Sequence, residues 1–150
     1  MRRIRMLTVS ALLAAPLAIG SVETARAHCG DGMIHRVNKL RAAHGLGALH
    51  KAKSLDGSSE RYSRWMLRND YFGHQGRIRA STAFSPVGEV LSIHAGHSKS
   101  VGRTVDAWAL SPGHAGVLLG RSFRYIGTGR SYGRFNGRPM TTWVVHVGSS

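Results

Sequence analysis

The chain has little of what can staple a small protein together or give it ready-made chemistry. Its 150 residues include one cysteine, Cys29, so no internal disulfide can form and the fold must rest on its hydrophobic core. Seven Asp and Glu stand against 21 Lys and Arg, a net charge of +14. That imbalance attracts polyanions and favours solubility, and says nothing about fold. There is no H-E-x-x-H, no C-x-x-C, no G-x-S-x-G and no phosphate-cradling glycine loop, so the common signatures of zinc peptidases, redox dithiols, serine hydrolases and nucleotide sites are missing. No repeat, low-complexity block or linker divides the chain, and its length suits one domain.

The single long apolar run, residues 6–19, is shorter than the ~20 residues a membrane-spanning helix needs. It follows Arg2, Arg3 and Arg5 and leads to Ala25-Arg26-Ala27, a small-x-small cleavage site. Residues 1–27 therefore read as a secretory leader cut after Ala27, and the protein as secreted, extracellular or periplasmic. No transmembrane segment remains after the cut. The residues before Cys29 do not match the lipoprotein pattern, and 28–33 read as an N-terminal tail before a domain over 34–150. The leader takes four arginines and one glutamate with it, and the rest stays strongly basic. An exported cation meets anionic envelope polymers, lipid headgroups and glycans, so nucleic acid is not the expected physiological partner.

What is present begins with helices. Met33, Val37, Leu40 and His44 fall on one helical face, with Asp31 as a cap and Gly45 as a stop. Residues 45–49 form a turn that tucks in Leu46 and Leu49. Over 53–70, Leu55, Ser59, Tyr62, Met66 and Asn69 share one face and Arg61, Arg64 and Arg68 the other. Small Ser59 on the inner face predicts close packing against another element. Residues 71–94 read as mostly irregular, broken by Gly and Pro. A third helix carries Val101, Thr104, Val105 and Trp108 inward and stops at Pro112. The C-terminal part turns to β-branched and aromatic residues around Asn136-Gly137, a hairpin signal. The order of elements predicts an α+β fold.

Three residues stand out by context: His74 in "YFGH", Glu89 in "PVGEVL" and His114 in "SPGH". Each sits at an element end or in a loop, where sites are built. Two imidazoles and a carboxylate suit a zinc site with one open position. They equally suit a base, an acid and an orienting group. Ser111 flanks the same turn as His114, either as a nucleophile beside it or as a capping hydroxyl. His94 and His97 have i,i+3 spacing, but Gly96 between them argues for a loop. His146, on a predicted strand, reads as structural.

Five segments in order, "VNKLRAAHGLGAL", "SLDGSSERYSRWMLRNDYFGH", "GEVLS", "VDAWALSPGHAGVLL" and "FRYIGTGR…TTWVVHVG", resemble the CAP superfamily of cysteine-rich secretory, antigen-five and pathogenesis-related proteins (SCP domains), in its short, cysteine-poor bacterial branch. The resemblance covers residues 34–148. It implies an α-β-α sandwich with a small antiparallel sheet and a cleft lined by two histidines and two acids, often with a divalent, zinc-like metal. By motif, His74 and His114 take the histidine positions, as metal ligands, and Glu89 the first acid position, as candidate catalytic residue. Ser111 stands where larger members have the second acid. Val90, Ala115 and Val117 replace polar residues of the family pattern, and Tyr62 stands where histidine is common, as a packing residue. The resemblance implies a secreted binding module for a metal or an anionic envelope polymer, lipid or glycan. Its alternatives are a metal-assisted hydrolase using Glu89, and a cationic factor acting by charge alone.

Overall fold

The computed structural model describes residues 22–80 and 82–150. Most of the expected leader, residues 1–21, lies outside them. Eight elements follow one another: α1 (Val22–Ala43), β1 (His50–Lys51), α2 (Lys53–Arg68), β2 (Val87–Ala95), α3 (Val101–Leu110), α4 (Pro112–Leu118), β3 (Tyr125–Phe135) and β4 (Arg138–Gly148). The sheet order is β1-β3-β4-β2. Three strands are antiparallel, and the two-residue β1 adds a parallel edge on β3.

Strand alternation sorts the sheet into two faces. On β4, Trp143, Val145 and Val147 join Met33 and Val37 of α1, Val105 and Trp108 of α3 and Leu118 of α4 in one core. Val144 joins Tyr62 and Met66 of α2 and Leu91 of β2 in the other. The molecule is thus the expected α-β-α sandwich, with α2 alone on its side.

That side is unusually close. A Cβ on Gly127 would stand 2.1 Å from the Asp56 amide nitrogen, and one on Gly129 would stand 2.2 Å from the Ser59 carbonyl carbon. Only glycine permits this approach of strand and helix backbones. Ser59 is fully buried and its hydroxyl donates to the Gly127 carbonyl at 3.2 Å, which is the close packing its small size predicts.

Several expectations are corrected. Residues 28–33, read as a tail, belong to α1, because Met33 extends the buried helical face and is sealed in the core. Asp31 is not a cap; it pairs with Lys51 at 2.8 Å. His44 and Asn69, placed on inner faces, are exposed, because each stands at or beyond the end of its helix. At the end of α1 the buried side chain is Arg41 instead. Residues 87–95, read as irregular, form β2, because β4 supplies the long-range partner their glycine-interrupted pattern conceals. The third helix ends at Leu110, two residues before Pro112, which opens α4, and Asn136 and Gly137 turn the β3–β4 hairpin with φ of 47° and 76°.

Candidate functional site

Glu89 lies on β2 directly opposite His146 on β4, on the face covered by α2. Its side chain is 2 % exposed, and both oxygens are engaged. Oε1 accepts from His74 Nδ1 at 3.0 Å and from the Gln75 amide at 3.2 Å. Oε2 accepts from Gln75 Nε2 at 2.9 Å and His146 Nε2 at 3.0 Å. Burial pushes the carboxyl up, but the bonds from His146, Gln75 and His74 outweigh it and hold it below its ordinary value.

The network continues inward. His146 donates to the carboxylate from Nε2, and its Nδ1 faces inward. Ser58 Oγ lies 2.7 Å from that nitrogen and 3.0 Å from the Leu55 carbonyl. Its hydroxyl donates to that carbonyl, and Ser58, His146 and Glu89 form one buried chain. Its closeness depends on the glycine faces of β3, which let α2 settle onto the sheet.

The same reasoning orients His74. Its Nδ1–H donates to Glu89, which turns Nε2 away from the carboxylate on a side chain that is 59 % exposed. The loop that carries it is held by Tyr62, whose hydroxyl donates to the Gly73 carbonyl at 2.5 Å. Burial, with Glu89 and Tyr71 nearby, pushes that phenol up to about 12, so it stays a donor. Tyr62 thus packs as expected and also positions the site.

His114 is the third residue of α4, just past the break at Ser111 and Pro112. Its Nδ1 lies 3.0 Å from Ser111 Oγ, and its ring lies 6.4 Å, centroid to centroid, from both His74 and Trp108. Burial, then the neighbouring His74, pushes the imidazole below its ordinary value and favours the neutral form. Trp108 donates from Nε1 to the Leu91 carbonyl at 2.8 Å, tying α3 to β2 and so His114 to Glu89. Arg41 braces α4 from below through the carbonyls of Leu118 (2.7 Å) and Gly120 (3.1 Å).

The fold therefore brings His74, Glu89, Ser111 and His114 to one place. His94 and His97 part company: His94 bonds Thr104 at 3.0 Å, while His97 packs edge-on to Tyr132. Ser58, Gln75 and His146 are the site residues that motif reading missed. Only the alternation on β4 hinted that His146 and Val144 share a face. Among the described residues no group of three or more His, Cys, Asp or Glu is placed to hold a metal. The set offers an ion two imidazoles whose other nitrogens are oriented by Glu89 and Ser111, the usual support of metal-bound histidine. It lacks the third protein ligand of a catalytic zinc site.

A family model described as CAP, the cysteine-rich secretory protein family, matches residues 34–147. Solved structures share the fold at low identity. An outer surface protein of Borrelia burgdorferi is 19% identical, with a TM-score of 0.64, over 87% of this chain and 96% of that one. An extracellular SCP-domain protein of Bacillus anthracis is 19% identical, with a TM-score of 0.66, over 91% of this chain and 45% of that one. Venom allergen-like protein 4 of Schistosoma mansoni is 12% identical, with a TM-score of 0.60, over 81% of this chain and 90% of that one. No curated protein sequence matches the chain.

Proposed function

Because the chain belongs to the CAP, or cysteine-rich secretory protein, family, we propose that it is an exported, non-catalytic binding module whose cleft takes a polar ligand of the cell envelope: a lipid headgroup, a glycan or a divalent metal ion. Export rests on the leader read in residues 1–27, and is supported by similarity to proteins described as outer surface and extracellular. Among the described residues no helix is long and apolar enough to cross a membrane.

One observation carries the choice of binding over hydrolysis. A hydrolase built on this cleft needs Glu89 to take a proton, and its two oxygens already face four N–H donors. Glu89 serves instead to orient His74. A divalent ion would rest on Nε2 of His74 and of His114, with its other positions open to water or ligand, and would supply a Lewis-acid contact for an anionic group. Two protein ligands make such a site weak.

The test is titration with zinc, with anionic phospholipid vesicles and with envelope polysaccharides, on the wild type and on His74→Ala/His114→Ala. The reading expects saturable binding of at least one probe, lost in the double variant, with no breakdown product. Product formation that depends on Glu89 would favour the hydrolase. Binding that ignores both histidines and falls steeply with salt would favour charge alone.

A further inference from the structure

Beside the cleft, three large aromatic side chains stand in solvent: Trp65 is 47%, Tyr71 44% and Phe72 39% exposed. Trp65 and Tyr71 are organised. Tyr62 stacks under Trp65 at 5.7 Å with an interplanar angle of 13°, and Tyr71 meets Trp65 edge-on at 5.6 Å. A contiguous exposed ring cluster of this kind marks a binding surface more often than a stray surface residue does. Tyr62, Trp65 and Tyr71 line a cavity of about 500 Å³, a usual size for a small-ligand site.

Arg61, Arg77 and Arg79 line the same cavity. Arg64, one turn of α2 away, meets Glu60 at 4.0 Å. Among the described residues no carboxylate meets Arg61, Arg77 or Arg79. Three unpaired guanidinium groups around one cavity leave forked donors free for planar or tetrahedral oxyanions. His74 and Gln75 form the border shared with the cleft.

We propose that this cavity is a subsite for an acidic sugar, a saccharide ring lying on Trp65 and Tyr71 with its carboxylate or sulfate held by Arg77, Arg79 and Arg61. This rests on the reading of the chain as a binding module and names the class of its ligand. A lipid headgroup supplies the anion but leaves the aromatic wall unused. A nucleic acid strand supplies both ring and anion, but it needs cations spaced along a track. Here they surround one compartment, which suits a ligand whose charge and ring belong to the same unit.

The experiment is calorimetric titration of the full chain with a galacturonic acid trisaccharide, a heparin tetrasaccharide, neutral maltotriose and a thymidine oligonucleotide. At least one acidic sugar binds saturably, and maltotriose does not. Trp65→Ala and Arg77→Ser/Arg79→Ser each weaken that binding about tenfold or more. Both variants alter exposed side chains, and circular dichroism checks that they fold. Failure of both acidic sugars to bind, binding of maltotriose as tight as theirs, or tighter binding of the oligonucleotide overturns the proposal. Indifference of sugar binding to Trp65 does so too. Zinc binding, measured in parallel on His74→Ala/His114→Ala, separates the two readings. If zinc depends on the histidines and no sugar binds, the cleft stands and the subsite falls. If sugar binding follows Trp65 and Arg77 while nothing depends on the histidines, the subsite stands and the cleft falls.

Discussion

His146 Nε2 stands 3.0 Å from Glu89 Oε2, with both side chains sealed from water. This pair is the floor of the site, and His74 reaches it from the solvent side. Removing His146 takes one of four donors from the buried carboxylate and leaves the space of its ring empty. His146→Ala is expected to lower the unfolding free energy by about 3 kcal/mol, through the lost bond to a charged group and the cavity left by the ring. Ser58→Ala, which removes a neutral partner, should cost only about 1 kcal/mol. Urea unfolding of the two variants tests the ranking, and equal stabilities would show that the chain does not hold the sheet to α2.

The closeness of α2 to β3 gives a second ranking. Gly127→Ala puts a methyl group into the α2 backbone at 2.1 Å, and backbone cannot step aside as a side chain can. It should destabilise by about 3 kcal/mol or more, or prevent folding. Gly137→Ala meets nothing within 4 Å and suffers only from its φ of 76°, at about 1 kcal/mol. Thermal melts of both should place Gly127→Ala far below; a reversed order would contradict the packing.

Arg41 is 2% exposed, and among the described residues its guanidinium bonds the carbonyls of Gly47, Leu118 and Gly120. Burial, then the nearby Arg124, lowers its pKa, yet the guanidinium remains charged. Arg41→Met keeps the apolar stem and frees those carbonyls, so about 2 kcal/mol should be lost. Because two of the three belong to the end of α4 or just beyond it, loosening should reach His114. NMR of the His114 ring is expected to broaden in this variant, and a ring signal identical to wild type would confine Arg41 to stability.

Acid should weaken the protein in two stages. His114 is depressed in the folded state, so as pH falls through the ordinary histidine value of about 6.5 the unfolded chain takes the proton first, and stability drops. His94, lowered by burial and Arg103, acts in the same direction. Glu89 is also depressed, so its contribution is complete above the ordinary glutamate value of about 4.3 and is lost as pH falls through its lower folded value. Melting temperature against pH should show both declines, and His114→Ala should flatten the first. An unchanged first decline in that variant would assign it to His94.

Much of this was legible from local pattern. The inner face of α2, the stop at Pro112 and the turn at Asn136-Gly137 follow from side-chain period, proline geometry and positive φ, all set by neighbours in sequence. His74, Glu89 and His114 stood out because each occupies an element end or a loop in a recognisable segment. The tertiary structure alone decided the rest. Residues 87–95 become a strand only when β4 lies beside them, and Glu89 meets His146 only in that register, 57 residues apart. Ser58 reaches His146 only because Gly127 and Gly129 remove two side chains from the path. Trp65 looks like any apolar helix residue until packing leaves it outside, beside three unpaired arginines. Such facts depend on distances between remote parts of the chain, and no short-range periodicity encodes them.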